Sequence, residues 1–164
     1  MDCATVDAGR LGKILLVDDT LANLAVLSAA LEPEGYEILV TSDGATALSL
    51  AAKARPDLIL LDIMMPALDG LQTCRRLKQD ESTSSIPVIF LTARGEMEIL
   101  VEGFAVGAVD YVVKPFRGEE LLRRVSTHVR LSRLSLELRE KNRALEAQRS
   151  AARLQVKLLI KLEN

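Results

Sequence analysis

Five residues that can do chemistry stand at the carboxyl ends of short apolar runs. Three are carboxylates, one is a hydroxyl and one is an ammonium group: Asp18, Asp19, Asp62, Thr92 and Lys114. Clustered carboxylates repel one another unless a cation joins them, and Mg²⁺ is a hard cation that prefers oxygen ligands. With the lysine and one Mg²⁺ the formal charges cancel. Such a site suits phosphoryl transfer, in which the protein positions groups and neutralises charge while a carboxylate serves as nucleophile.

A structural role is the alternative for each of these residues, because an aspartate just after a strand often caps the next helix. That explanation can hold for any one of them. It weakens for all five together, since several caps and a lysine would have to meet at one edge of a sheet. Asp62 stands alone after a central apolar run and is therefore the candidate nucleophile.

The elements that must position these residues are five short runs, most of them continuously apolar. They cover residues 13–17, 36–40, 58–61, 88–91 and 111–113. Continuous apolar runs are typical of parallel strands buried on both faces. Segments with helical spacing lie between them, at 21–31, 45–54, 71–79 and 97–106. This alternation predicts an α/β fold of the (βα)₅ type, a doubly wound parallel five-stranded sheet that binds ligands at the carboxyl ends of its strands.

Residues 119–164 differ from the rest of the chain because they contain no glycine and no proline. They predict one long helix, and 46 residues would span roughly 69 Å. An apolar residue recurs at every seventh position in this segment: Leu131, Leu138, Leu145, Ala152 and Leu159. Leu134 and Leu162 fall at matching d positions, whereas the other d positions are polar: Lys141, Gln148 and Gln155. We therefore expect a coiled coil with a weak middle that joins two copies in a parallel homodimer.

Charge and composition exclude several classes of protein. Residues 1–118 carry a formal charge of −7 and residues 119–164 a charge of +5, which suggests two segments with different roles. The two cysteines, Cys3 and Cys74, are too few for a disulfide framework, and no apolar run is long enough to cross a membrane. Residues 1–12 are expected to be a flexible segment without the pattern of a secretory signal, so a cytoplasmic location is expected. The single histidine, His128, excludes sites built from histidine clusters.

Four motifs carry a resemblance to a known family. They are Val17-Asp18-Asp19, Leu60 to Pro66 followed by Asp69-Gly70, Leu91-Thr92-Ala93, and Val113-Lys114-Pro115-Phe116. In order and spacing, residues 13–118 resemble the flavodoxin-like receiver domain of two-component response regulators and are similar to the chemotaxis response regulator. The resemblance implies that a histidine kinase or phosphotransfer protein phosphorylates Asp62.

The same resemblance implies roles for the other site residues. Mg²⁺ would be held by Asp18, Asp19, Asp62 and the backbone carbonyl of Met64. Lys114 would contact the phosphoryl group, and its peptide bond to Pro115 would be cis. Thr92 would be the switch hydroxyl, and Tyr111 the aromatic residue whose ring moves in response. The long helix would pass the change to an output domain or partner.

Three other functions compete with a phosphorylation switch. A dinucleotide- or flavin-binding enzyme would need a glycine-rich turn after the first strand, where this chain has Asp18 and Asp19, so we expect no enzyme of that kind. A DNA-binding regulator could use the basic tail, but its basic residues are interleaved with acidic ones, so we do not expect nucleic acid as a partner. A receiver-like dimerisation module insensitive to phosphorylation is the third alternative.

Overall fold

The computed structural model describes residues 11–162, in which five β-strands alternate with five α-helices. The strands are β1 Gly12–Val17, β2 Tyr36–Thr41, β3 Leu58–Asp62, β4 Val88–Thr92 and β5 Asp110–Val113. The helices are α1 Leu21–Leu31, α2 Gly44–Ala54, α3 Gly70–Gln79, α4 Met97–Ala105 and α5 Gly118–Leu162, and a short 3₁₀ turn follows α1 at Glu32–Glu34. Residues 1–10 of the predicted N-terminal segment lie outside the described residues. The predicted alternation of strands and helices is confirmed.

The five strands form one parallel sheet in the order β2-β1-β3-β4-β5. The chain passes from β1 outward to β2 and then returns to β3 on the other side of β1. The carboxyl ends of β1 and β3 therefore lie at the point where the strand order reverses, which is where ligands bind in open α/β sheets. The doubly wound fold predicted from the sequence is confirmed.

Each face of the sheet packs against its own set of helices. On one face, Leu24 and Leu27 of α1 and Leu121 and Val125 of α5 are buried in one apolar cluster. On the other face, α2, α3 and α4 cover a second cluster that contains Phe90. Full burial of each large apolar side chain contributes roughly 1.5–3 kcal/mol, so the strand ends are held on a well-packed base.

Helix α5 belongs to two compact units, one that ends at Val129 and one that begins at Arg130. In the first unit its buried residues are Leu121, Val125 and Val129. In the second unit the heptad leucines are exposed, by 55% at Leu131 and by 61% at Leu159. The division between residues 118 and 119, made from the sequence, stays a prediction. No helix in the described part of the chain combines the length and the hydropathy that crossing a membrane requires.

Candidate functional site

The three carboxylates meet at the carboxyl ends of the two central strands. Asp18 and Asp19 follow β1, and Asp62 is the last residue of β3. One oxygen from each of the three lies within 4.8 Å of the others. Asp18 and Asp62 are buried and Asp19 is exposed, so the cluster opens to solvent on one side.

Lys114 supplies the positive charge of the site from the end of β5. Its Nζ lies 3.1 Å from Asp18 Oδ2 and 3.1 Å from Asp62 Oδ1, so one ammonium group bridges the two buried carboxylates. The backbone N–H of Lys114 donates to the Thr92 carbonyl at 2.8 Å, which fixes the lysine beside the end of β4. The Lys114–Pro115 peptide bond is cis, as the sequence resemblance implies.

The pKa values of Asp62 and Lys114 are both shifted upward in the site. Burial, and after it the charge of Asp18, raises the pKa of Asp62 from 3.8 to about 6, although Lys114 acts against this. Burial acts to lower the pKa of Lys114, but the charges of Asp62 and Asp18 outweigh it and the pKa is raised. Lys114 therefore stays protonated, and a second cation would further stabilise the Asp62 carboxylate.

Asp18 is the most firmly held of the three carboxylates. Its Oδ1 accepts a hydrogen bond from the Thr20 backbone N–H at 2.9 Å. The side-chain amide of Asn23, in the first turn of α1, donates to both of its oxygens, at 3.3 and 3.1 Å. Asn23 was missed in the sequence, where it stands as one polar residue among the apolar residues of a helix. These contacts orient Asp18 toward Lys114 and the cluster.

The loop after β3 folds back against Asp62. The Met64 backbone N–H donates to Asp62 Oδ1 at 3.4 Å, and the Gly70 N–H donates to the Ile63 carbonyl at 2.8 Å. A Cβ atom at Gly70 would lie 2.2 Å from the Asp62 carbonyl oxygen, so only glycine permits this close approach. Asp69 caps α3 through a reciprocal pair of bonds with Gln72, which fixes where the loop ends.

Thr92, at the end of β4, donates through Oγ1 to Glu96 Oε2 at 2.9 Å. The Ala93 backbone N–H donates to the same oxygen at 2.9 Å. In the sheet register, Asp62 pairs with Leu91, so Thr92 directly follows the residue beside the candidate nucleophile. Glu96 was also missed in the sequence, where only its position just before an apolar helical segment could have pointed to it.

Tyr111 lies on β5 between α4 and α5. Its ring makes an edge-on contact with Phe104, with 6.2 Å between the ring centroids, and the guanidinium of Arg124 lies 5.7 Å from the Tyr111 centroid. Arg124 also forms an ion pair with Asp110 at 2.6 Å, and His128 Nε2 lies 3.1 Å from the second Asp110 oxygen. These contacts connect the start of β5 with α5, and His128 takes part in them through its polar contact with Asp110.

Comparisons with known proteins agree with this geometry. The response regulator receiver domain family matches residues 14–126. The chain belongs to this family. The receiver is 44% identical over 118 residues to the DNA-binding dual master transcriptional regulator RpaA of Synechocystis, and 43% identical over 129 residues to the response regulator PleD of Caulobacter vibrioides. These alignments cover 72% and 79% of this chain.

The length covered differs between relatives. The chain spans 49% of RpaA and 28% of PleD, but 96% of the chemotaxis protein CheY4 of Vibrio cholerae. The CheY4 structure covers 70% of this chain, with 36% identity and a TM-score of 0.67. The similarity therefore concerns the receiver and not the larger part of RpaA or PleD.

The family is one of signalling proteins, and its members bind Mg²⁺ at an acidic pocket. In this receiver the corresponding pocket consists of Asp18, Asp19 and Asp62. The donor set fits the ion, because all of its side-chain donors are carboxylate oxygens. The individual roles of all the site residues stay predictions: Asp18, Asp19, Asp62, Met64, Thr92, Tyr111 and Lys114.

Proposed function

We propose that this receiver is a phosphorylation-activated switch in which Asp62 accepts a phosphoryl group, rather than an enzyme. The observation that carries the proposal is the bridge from Lys114 to Asp62 and Asp18 beside the exposed carboxylate of Asp19. The bridge holds a buried nucleophile in place at an opening to solvent. It also brings a fixed positive charge to the position where phosphoryl oxygens would lie.

The transfer forms a bond between an Asp62 carboxylate oxygen and phosphorus, while the bond from phosphorus to the donor group breaks. Lys114 stays close enough to Asp62 to neutralise a phosphoryl oxygen, and Asp18 orients the lysine. Asp18, Asp19, Asp62 and the Met64 carbonyl would hold Mg²⁺. When bound, the ion supplies positive charge that stabilises the transferring phosphoryl group.

The partners follow from this chemistry. We infer that the donor is a phosphohistidine of a histidine kinase or phosphotransfer protein in the cytoplasm, and that an output domain or protein receives the signal. The Asp62 carboxylate and the pocket are reached from the edge of the sheet at which Asp19 is exposed.

Phosphoryl uptake tests the proposal directly. The receiver is incubated with acetyl phosphate and Mg²⁺, and the number of phosphoryl groups is counted by intact-mass spectrometry. One group is expected in Mg²⁺ and none in EDTA, because the three carboxylates repel an incoming anion without a second cation. The adduct should be labile to hydroxylamine, as an acyl phosphate is. A protein that stays unmodified in Mg²⁺, or that is modified equally well in EDTA, contradicts the proposal.

We further propose that residues 119–164 transmit the signal through a parallel homodimer. The heptad leucines are exposed by 52% at Leu145 and 61% at Leu138. A partner helix is needed to remove such side chains from water. The polar d positions Lys141, Gln148 and Gln155 weaken the middle of the coil. A weak seam can change its register when Asp62 is phosphorylated.

Single cysteines at Leu138 and Leu159 test the dimer, in a protein that lacks Cys3 and Cys74. In a parallel pair in register each a position faces its own copy, so both sites should form disulfides under mild oxidation, with yields that change on phosphorylation. Ser150→Cys, at the outward f position, is the matched control and should crosslink poorly. Equal yields at residues 138, 150 and 159, or a monomer by ultracentrifugation in both phosphorylation states, refutes the coiled-coil dimer.

A further inference from the structure

The carboxylate of Glu96 accepts hydrogen bonds from two donors at the end of β4, the strand next to Asp62. One of its oxygens accepts from the Thr92 hydroxyl at 2.9 Å and also from the Ala93 backbone N–H at 2.9 Å. The Ala93 carbonyl is a second acceptor for the Thr92 hydroxyl at 3.2 Å, but the Glu96 oxygen is the nearer of the two. Hydrogen bonds to an ionised acceptor are the stronger kind, so these two contacts define one arrangement of the loop between β4 and α4.

A phosphoryl group on Asp62 needs donors of the same kind. Its oxygens are strong acceptors, and the end of β4 is the neighbouring strand end on that side of Asp62. A hydroxyl and a backbone amide each have one hydrogen to donate. The Thr92 and Ala93 donors therefore cannot fully serve both the Glu96 carboxylate and a phosphoryl group, and the two anions also repel each other.

We propose that Glu96 is a latch: in the unphosphorylated receiver it holds the Thr92 and Ala93 donors, and the phosphoryl group on Asp62 takes them from it. The latch rests on the proposed function, because it needs a phosphoryl group at Asp62. It assigns Glu96 a regulatory role, as a positioning residue that sets how readily the site adopts its phosphorylated arrangement.

The position of Glu96 in the chain links the latch to α4. Its backbone carbonyl accepts hydrogen bonds from the N–H groups of Ile99 at 3.1 Å and Leu100 at 3.2 Å, so the residue begins the first turn of the helix. The side chain of the same residue is bonded back to Thr92. Release of the carboxylate thus loosens the connection between the site and the first turn of α4.

The latch is tested with beryllofluoride, a non-covalent mimic of the phosphoryl group, in the presence of Mg²⁺. Glu96→Ala removes the competing acceptor and should bind beryllofluoride roughly tenfold more tightly than the parent protein, since each charge-assisted bond that no longer has to be broken favours the bound state. Glu98→Ala is the matched control, because Glu98 is an exposed carboxylate in the same first turn. It should leave the affinity nearly unchanged.

Two further measurements separate a latch from a general effect on folding. Glu96→Gln keeps an oxygen acceptor but loses the charge, so its beryllofluoride affinity should lie between those of the parent and Glu96→Ala. Without beryllofluoride, hydrogen exchange at the Ile99 and Leu100 amides should be faster in Glu96→Ala than in the parent. The rate in the free variant should be close to that of the parent with beryllofluoride bound. A purely structural role would raise exchange without any gain in affinity.

The outcomes distinguish the latch from the proposed function. Failure of beryllofluoride to bind the parent and every variant would defeat the phosphorylation switch and the latch with it. Binding to the parent with an equal or weaker affinity in Glu96→Ala and Glu96→Gln overturns the latch alone. A similar gain in Glu98→Ala also overturns it, because the effect would then be one of overall charge near α4.

Discussion

Asp62→Asn is expected to abolish phosphoryl uptake from acetyl phosphate in Mg²⁺, while the fold is retained. The amide has nearly the size of the carboxylate and can still accept a hydrogen bond from Lys114, but it lacks the nucleophilic oxygen anion. The measurement is intact-mass spectrometry under conditions in which the parent protein takes up one group. In the proposed mechanism Thr92 and Lys114 position and neutralise the phosphoryl group but do not accept it, so the expected loss is complete.

Asp43→Asn is the matched control for this experiment. Asp43 is also a carboxylate near the carboxyl end of a strand, but it caps α2 by accepting from the Thr46 backbone N–H at 2.7 Å. Asparagine caps helices about as well as aspartate, so this variant should fold and take up phosphate normally. Uptake that persists in Asp62→Asn would move the acceptor to another residue, and loss of uptake in both variants would show that the assay responds to charge and not to the nucleophile.

The sheet and the convergence of the site could be predicted from the sequence because both depend on local patterns. A continuously apolar run such as Leu58 to Leu61 leaves few choices other than a buried parallel strand. The carboxyl ends of parallel strands share one edge, so residues that follow them must come together. The convergence of Asp18, Asp62 and Lys114 on one edge of the sheet therefore follows from chain order and strand direction.

The residues that support the site could not be predicted in this way. Asn23 and Glu96 reach the site from the first turns of helices, and their contacts depend on where each helix begins relative to the neighbouring strand end. Polar residues at helix starts are common for reasons of capping and solvation, so sequence gives no signal that separates a support from a cap. The partners of Tyr111 on α4 and α5 are likewise set by tertiary packing.

The end of the first compact unit is another feature that could not be predicted from the sequence. The composition of the chain changes after Gly118, because no glycine or proline follows it, and this change marks the start of α5. Burial of Val125 and Val129 continues beyond that point, and the compact unit ends at Val129. A continuous helix contains no glycine or proline at the point where its packing changes. Composition therefore locates the start of the helix and not the end of its buried part.

The second large effect is on stability in the absence of metal. Above about pH 6, Asp62→Asn should be more stable than the parent protein. Burial raises the pKa of Asp62 from 3.8 to about 6, so between these values the folded protein keeps a proton that the unfolded chain has released. Stability of the parent therefore falls as pH rises through this window, and the full loss is present above it. Asparagine carries no charge at any pH and avoids the loss.

The expected gain for Asp62→Asn is about 3 kcal/mol at pH 7 to 8 in EDTA, since the pKa of Asp62 is raised from 3.8 to about 6 and one pKa unit corresponds to about 1.4 kcal/mol. Urea unfolding at steps from pH 4 to pH 8 should show no pH-dependent gain near pH 4, a difference that opens between pH 4 and 6, and a constant difference above. Asp43→Asn should show no such gain, because hydrogen bonds from Thr46 lower the pKa of the exposed Asp43 carboxyl. A difference between Asp62→Asn and the parent that does not change with pH would mean that the buried charge is not its cause.

Addition of Mg²⁺ to the same unfolding series should then reduce or reverse the difference. An ion that binds only the folded state stabilises the parent. Once the ion concentration exceeds the dissociation constant, the stabilisation grows with the logarithm of the ratio of the two. Asp62→Asn retains only Asp18 and Asp19 of the three carboxylates and should gain less. In the proposed function, the charge that destabilises the metal-free receiver is the same charge that would bind the cation and accept the phosphoryl group. Equal stabilisation of both proteins by Mg²⁺ would remove Asp62 from the metal site.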